Sequence, residues 1–423
     1  MKIAIIGSGI AGNVAAYRLH RDHEVTVYEA AGHIGGHTHT HDVAIDGERQ
    51  RIDTGFIVFN DWTYPNFIEL LDELGVESQP SAMSFSVRNE ASGLEYNGTT
   101  LNTLFAQRRN LLRPSFYRFI REIMRFNREA PELLDATGEI ALGDYLDSRG
   151  YSRAFTDNYL VPMGAAIWST DPARMLAFPA RFFVRFFHNH GMLSVDARPQ
   201  WRAIRGGSAR YVEKLVAPFR HRIRLNTPVE SVSRTPGRVA VKARGAAPEQ
   251  YDYVFFACHS DQALRLLADA TPLERSVLGA IPYQRNEVVL HTDTTLLPRA
   301  RRAWAAWNYH VVPQPGAPVA LTYNMNILQS LSSRLTYCVT LNRSDAIAPE
   351  KIIKRLAYDH PLYTPAGVAA QQRQHEINGA NRSFFCGAYW RNGFHEDGVV
   401  SALNALEHFE NTLNAQRDLS RVA

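Results

Sequence analysis

Lys2-Ile3-Ala4-Ile5-Ile6-Gly7-Ser8-Gly9-Ile10-Ala11-Gly12 opens the chain, and Glu24-Val25-Thr26-Val27-Tyr28-Glu29 follows one short helical stretch later. The first apolar run has strand length and reads as a buried parallel strand. Asn13 to His20 carries small and apolar residues at helical spacing, and the second strand ends in a carboxylate 22 residues after Gly7. Each part has a physical reason. Gly7 permits a tight turn, Gly9 lets a pyrophosphate approach the backbone, and Gly12 allows close helix–strand packing. The N–H groups around Ser8, Ile10 and Ala11 open a helix whose N-terminus favours negative charge, and Glu29 can accept both ribose hydroxyls. A glycine triplet alone says little. Between strand and helix, with the acid at this distance, it predicts a dinucleotide-binding βαβ unit.

Working outward, 423 residues suggest two or three domains, and 45% hydrophobic with 21% charged residues exclude a disordered or collagen-like chain. The net charge of +4 hides a skew, because five lysines (Lys2, Lys214, Lys242, Lys351, Lys354) stand beside 41 arginines. No lysine occurs between Lys242 and Lys351. A modest net charge without a reader motif excludes nucleic acid as partner. Cys258, Cys338 and Cys386 lie in apolar runs and read as reduced core thiols of a cytoplasmic protein. The immediate start of the first strand leaves no room for a signal peptide. The uncharged stretch Ala303–Ser333 is interrupted by Pro313-Gln314-Pro315-Gly316, so no membrane span is expected.

After Glu29 the chain reads AAGHIGGHTHTH. Here it resembles the glutathione-reductase-type flavoproteins of the amine oxidase, protoporphyrinogen oxidase and phytoene desaturase group. That resemblance implies FAD as cofactor, with Gly35-Gly36 as the second glycine doublet around its pyrophosphate. His33 and His37 stand where arginines are usual; a neutral imidazole can donate to phosphate but lacks the fixed charge and fork of arginine. His37, His39 and His41 recur at period two, yet only Asp42, pointing the other way, is near enough to complete a metal site, so no metal is expected.

Further segments match the group in order. Asp53-Thr54-Gly55-Phe56 resembles the stretch passing the flavin ring, and Arg205-Gly206-Gly207-Ser208 the re-entry into the FAD domain. Val229 resembles the valine touching adenine. Gly387, Glu396, Asp397, Gly398 and Val399 resemble the last strand–loop–helix, which sets a carboxylate on the cofactor and aims a helix N-terminus at the ring. The implied fold is α/β, a Rossmann-like FAD-binding domain (1–60, 200–285, 380–423) with a discontinuous α+β substrate domain (61–199, 286–379). A narrower resemblance rests on WNYHV (307–311), LTYNMNILQSL (321–331), YCVTLNRSD (337–345), His360-Pro361 and GAYWRNGFHEDG (387–398). It points to bacterial FAD-binding proteins encoded beside cyclopropane-fatty-acid synthases. This implies desaturation of a methyl-branched or cyclopropane-related acyl chain of a phospholipid, and a lipid methyltransferase as partner.

The inserted segments read as the substrate side. Residues 108–128 hold seven arginines against one acid, Glu122, interleaved with aromatic and apolar residues. This reads either as an amphipathic helix on an anionic membrane face or as an ordinary helix with solvated arginines. Phe182 to Phe187 suits core packing or an apolar tunnel wall, and 286–345 reads as an antiparallel meander roofing the flavin.

Amine oxidases of this group keep a lysine on that sheet; its absence between 242 and 351 favours alkyl C–H oxidation, with a weak base or water taking the proton. Candidate proton acceptors are His395, Glu396 and His310, with Asn308 and Tyr309 in equivalent space. Candidate substrate-lining residues are Trp168, Trp307, Tyr389 and Trp390, the last two alternatively packing under the final helix. The competing expectations are an oxidase of an amine, porphyrinogen or polyene, and a flavoprotein that mainly binds and supports a partner lipid methyltransferase without turnover. The sequence carries no signal of oligomeric state.

Overall fold

The computed structural model describes residues 1–194, 196–313 and 318–422. Lys2–Ile6 (β1) and Glu24–Tyr28 (β2) pair in parallel around the helix Ile10–Leu19 (α1), with Ile3 opposite Val25 and Ile5 opposite Val27. A five-stranded parallel sheet forms in the order Ile223–Arg224, β2, β1, Tyr253–Phe256, Ser383–Phe385. Alternate residues serve two cores. Ile3, Ile5, Val25, Val27, Phe255 and Phe384 meet α1, the helix Ala209–Val216 and the final helix His395–Val422. Ala4, Ile6, Val254, Phe256 and Phe385 meet a three-stranded antiparallel meander and the helix Pro272–Leu278. Burial on both faces is why these strands are continuously apolar.

On the second side, Arg234, its side chain 1% exposed, holds Glu274 through Nη2–Oε2 at 2.8 Å and Asp269 through Nε–Oδ1 at 3.0 Å. Glu274 also closes a capping box with Thr271. This pair ties the meander to the helix beneath it.

The roof is a seven-stranded sheet: Ile352–Pro361, Tyr283–His291, Cys338–Leu341, Ala320–Asn324, Trp307–Val311, Phe85–Asn89, Leu94–Asn97. It exceeds the expected 286–345 meander by strands on both sides, because Phe85–Asn89 pairs in parallel with Trp307–Val311 and Ile352–Pro361 lies along Tyr283–His291. The Pro313–Gly316 turn lies largely outside the described residues. The roof does carry a lysine: Lys354, on its edge strand, sits with Nζ 3.3 Å from His41 Nδ1.

Two boundaries differ from expectation. Helix Pro65–Glu73 buries Phe67, Leu70 and Leu71 in the core of the parallel sheet, so residues just past 60 pack with the dinucleotide domain. The arginine-rich segment is also not one helix. A 3₁₀ turn over Arg108–Leu112 ends at extended Arg113, and the α-helix starts at Pro114. Proline disfavours helical backbone in the residue before it and suits the first helical position itself.

Asp53, fully buried, joins three parts of the chain. It accepts from Thr40 Oγ1, from the Ser208 N–H and hydroxyl, and from Gln329 Nε2 at 3.0 Å, so the DTGF segment, the re-entry loop and the roof meet at one carboxylate. Among the described residues no helix is long and apolar enough to cross a membrane.

Candidate active site and cofactor cradle

The carboxyl ends of the parallel strands converge where ligands of such sheets bind. Gly7, at φ +105°, could not carry a Cβ, which would lie 2.7 Å from the Ala257 carbonyl, and a Cβ on Gly12 would lie 2.0 Å from the Gly7 carbonyl. Above Gly9 there is nothing within 4 Å of the place a Cβ would take. The loop is therefore closed on its protein side and open on one side only. Glu29, at the end of β2, accepts from Ser8 N–H and Oγ at 2.9 and 2.6 Å and from Ala31 N–H at 2.8 Å. Thr227 N–H bonds the Glu29 carbonyl at 2.8 Å, bringing the segment that leads to Val229 beside the acid.

The second doublet lies on the first. Gly35 N–H donates to the Ser8 carbonyl at 3.0 Å, and a Cβ on Gly36 would lie 3.1 Å from Gly9 Cα. A Cβ on Gly398 would lie 2.5 Å from Ile10 Cγ2, so the final helix and α1 bring their N-termini together. Ile10, Ala11 and Val399 point their side chains into the core, leaving their backbone N–H groups as what they offer a ligand. Two helix N-termini and a Cβ-free opening fit the pyrophosphate of a dinucleotide.

Thr54, Gly55 and Phe56 run against 37–39: Phe56 N–H donates to the His37 carbonyl at 2.9 Å, and a Cβ on Gly55 would collide with that carbonyl. Thr54 Oγ1 bonds the Tyr358 hydroxyl at 2.9 Å. Above this seam hangs one face of the roof, carrying Trp307, Tyr309, Tyr323, Asn286, Tyr358 and His360. His37 has ring centroids of Tyr358, His360 and His259 at 5.0, 5.5 and 5.9 Å. Burial first, then neighbouring histidines, push His37 down to about 4 and His360 to about 3; burial likewise takes His259 to about 4. All three are neutral at pH 7.

Their partners differ. His37 Nε2 is shut from solvent without a partner. That nitrogen is free to hydrogen-bond a ligand, as a donor or as an acceptor. Asn342 Nδ2 donates to Asn286 Oδ1 at 2.9 Å, which leaves Asn286 Nδ2 to donate to His360 Nδ1 at 3.1 Å. His360 therefore keeps its proton on Nε2.

The three expected proton acceptors are all engaged elsewhere. His395 stacks on Phe56 at 3.6 Å, and its Nε2 is bonded to the Thr38 and Tyr211 hydroxyls at 2.9 and 2.7 Å. Glu396 accepts from the N–H groups of Asn66 and Phe67 at 3.1 and 2.9 Å, so it caps helix Pro65–Glu73. His310 lies on the opposite face of the roof and bonds the Leu296 carbonyl, as does Asn308 to Ala305 on the same outer face. A one-residue offset in a strand reverses the face. Asp397 bonds the Phe394 N–H at 2.9 Å, and burial raises its carboxyl to about 6.

Among the substrate-lining candidates, Trp307 alone faces the open side of the roof, at 5.1 Å from Tyr323. Trp168 is 4% exposed within a shell of Phe178, Phe182, Phe183 and Phe186, and Phe183 and Phe187 are fully buried, so this aromatic run is core. Trp390 donates its indole N–H to the Phe385 carbonyl and packs with Tyr389 under the final helix; Gly387 leaves room for the Tyr389 ring.

Sequence reading missed His259, Tyr358 and Asn286. His259 had a usable signal, since it directly follows a buried parallel strand at its carboxyl end. The outer histidines His33, His39 and His41 stack at 3.9 and 4.0 Å, and no group of three His, Cys, Asp or Glu among the described residues has metal-holding geometry.

Residues 10–299 match the family described as flavin containing amine oxidoreductase. Among solved structures the chain is similar to cyclohexylamine oxidase from Brevibacterium oxydans IH-35A, at 17% identity and TM-score 0.69 over 97% of this chain and 99% of that one. It is also similar to wild-type putrescine oxidase bound to putrescine (15%, 0.66, 97% and 99%). A third likeness is to the CLA-producing fatty acid isomerase from P. acnes (16%, 0.65, 96% and 98%). No curated protein matches the chain.

Proposed function

The chain belongs to the flavin containing amine oxidoreductases, an FAD-dependent oxidoreductase by family, and we propose that within this family it oxidises a saturated stretch of a lipid acyl chain to an alkene. The observation that carries this reading is the roof face over the cradle. Its side chains Trp307, Tyr309, Tyr323, Tyr358, Asn286 and His360 are aromatic or uncharged, and burial holds the histidine neutral. Such a wall suits hydrocarbon.

Bound FAD supplies a two-electron, hydride-accepting group. The residues of this chain do the remaining work. Gly9 and the two helix N-termini receive the pyrophosphate, and Glu29 holds the ribose hydroxyls. Trp307 and Tyr323 line the substrate side, and the proton released beside the hydride leaves through a weak base; His37, whose Nε2 is buried without a partner against Tyr358 and His360, is the group placed for it.

A phospholipid substrate and a lipid methyltransferase as the supplier of its branch are the finer parts of this reading. The fold shared with a fatty acid isomerase supports a fatty acyl chain in such a site. Anaerobic mixing of the holoprotein with methyl-branched phospholipid should bleach the oxidised flavin band. Bleaching by primary amines but by no lipid would replace the lipid reading with amine oxidation.

A further inference from the structure

We propose that the tip formed by residues 101–128 is a docking surface for an anionic phospholipid bilayer. Of eight large apolar side chains exposed among the described residues, five lie here: Leu101, Leu111, Leu112, Tyr117 and Met124. Leu112 is 88% and Leu101 77% exposed, values a water-soluble surface rarely concentrates in one place.

They are held together. The Tyr117 hydroxyl donates to the Leu111 carbonyl at 3.0 Å, and Arg108 donates to the Phe105 and Asn102 carbonyls, so the short helix at Leu101, the 3₁₀ turn and the first turn of the long helix form one tip. Along the long helix, Tyr117, Arg121, Met124 and Arg128 recur at i, i+4, i+7 and i+11 on a single face. Its opposite face, Phe116 and Phe119, is anchored on Tyr309 and Leu321 of the roof.

The charge of the tip is unbalanced outward. Arg113, Arg118 and Arg121 are exposed and make no ion pair among the described residues. Glu122, the one acid in 108–128, is turned inward to the Ser152 N–H and hydroxyl, and Glu129 is taken by Arg125 and Arg128. Arginines ringing protruding hydrocarbon fit a headgroup layer, where the cations meet phosphates and leucines enter the acyl boundary. A nucleic acid would satisfy the arginines and leave the leucines in water. The inward face of the same helix borders the apolar cluster that includes Trp307 and Tyr323, so docking here sets bilayer hydrocarbon against the proposed substrate wall; only this last consequence rests on the lipid reading above.

The test is sedimentation of the FAD-loaded protein with vesicles of phosphatidylcholine containing a quarter phosphatidylglycerol, against phosphatidylcholine alone. Binding is expected to the anionic vesicles, to fall with salt, and to drop roughly tenfold or more both in Arg113→Glu/Arg118→Glu/Arg121→Glu and in Leu111→Asp/Leu112→Asp. Flavin content and thermal midpoint of both variants should match the parent, since these side chains project into solvent; a variant that loses either is replaced by Arg121→Gln with Leu112→Ser, whose binding must still fall. Equal binding to neutral vesicles, binding indifferent to the leucine variant, or tighter retention on duplex DNA at the same salt would overturn the proposal. Docking without flavin reduction by any lipid would overturn the substrate reading and leave the surface standing.

Discussion

The parallel sheet and the roof sheet place polar chemistry by opposite rules. In the parallel sheet it is confined to the carboxyl ends, where backbone geometry does the selecting: Gly7, Gly9, Gly12 and Glu29 are adjacent in space because they are adjacent in one βαβ unit. In the roof, polar residues occur along the strands on both faces, and the face decides their meaning. His310 and His360 are both imidazoles in roof strands, yet the first, buried, bonds a backbone carbonyl on the outer face and the second, half-buried, faces His37. Local order makes the first kind of site; global packing makes the second.

The sharpest way to break this contrast is in the glycine loop. Gly12→Ala places a methyl 2.0 Å from the Gly7 carbonyl and should cost on the order of 4 kcal/mol or abolish soluble FAD-bound protein, read by yield and flavin content. Next in size is the buried ion pair. Arg234→Ala strands Glu274 and should destabilise by about 3–5 kcal/mol in denaturant unfolding, whereas replacing both with apolar residues should recover most of that loss. Glu29→Ala should leave the fold intact while weakening FAD binding by roughly tenfold to a hundredfold in flavin titration; unchanged binding would remove the ribose assignment. Two histidines complete the series: His37→Phe should slow turnover at least tenfold, and His310→Gln should change it by no more than about twofold, since His310 lies on the far face of the roof.

Acid sharpens the comparison further. His37, His259 and His360 have folded values pushed below the ordinary 6.5, so their contribution to stability is complete above pH 6.5 and is lost as pH falls toward 4. Asp53 works in the other direction: burial raises it to about 6, so its contribution is lost as pH rises through 6. The roof seam should therefore open on acidification, with flavin release preceding loss of far-UV signal from the parallel sheet.

The sequence made the cradle readable for the same reason it is rigid. A strand, three glycines and an acid at fixed spacing describe their own geometry, and Gly36 lies against Gly9. The fate of the carboxylate and imidazole at 395–396 was not readable, because nothing local shows that the first turn of the final helix faces Phe56 and the start of helix Pro65–Glu73. For the roof, alternation marks strands but not which side meets the cradle, so His310 and His360 look equivalent until the sheet is placed. The lysine-poor interval survives as an observation about 243–350, with Lys354 now at the sheet edge beside His41.

The contact of Gly398 with Ile10 has a further consequence, for the order in which the molecule is made. The first strand and helix of the cradle are synthesised more than 360 residues before the strand Ser383–Phe385 and the final helix that complete its sheet and core. A nascent chain that has not reached them holds an open half-site with apolar faces waiting for their cover, so cofactor loading follows their emergence, and translation pausing before residue 383 leaves that apolar surface exposed to aggregation.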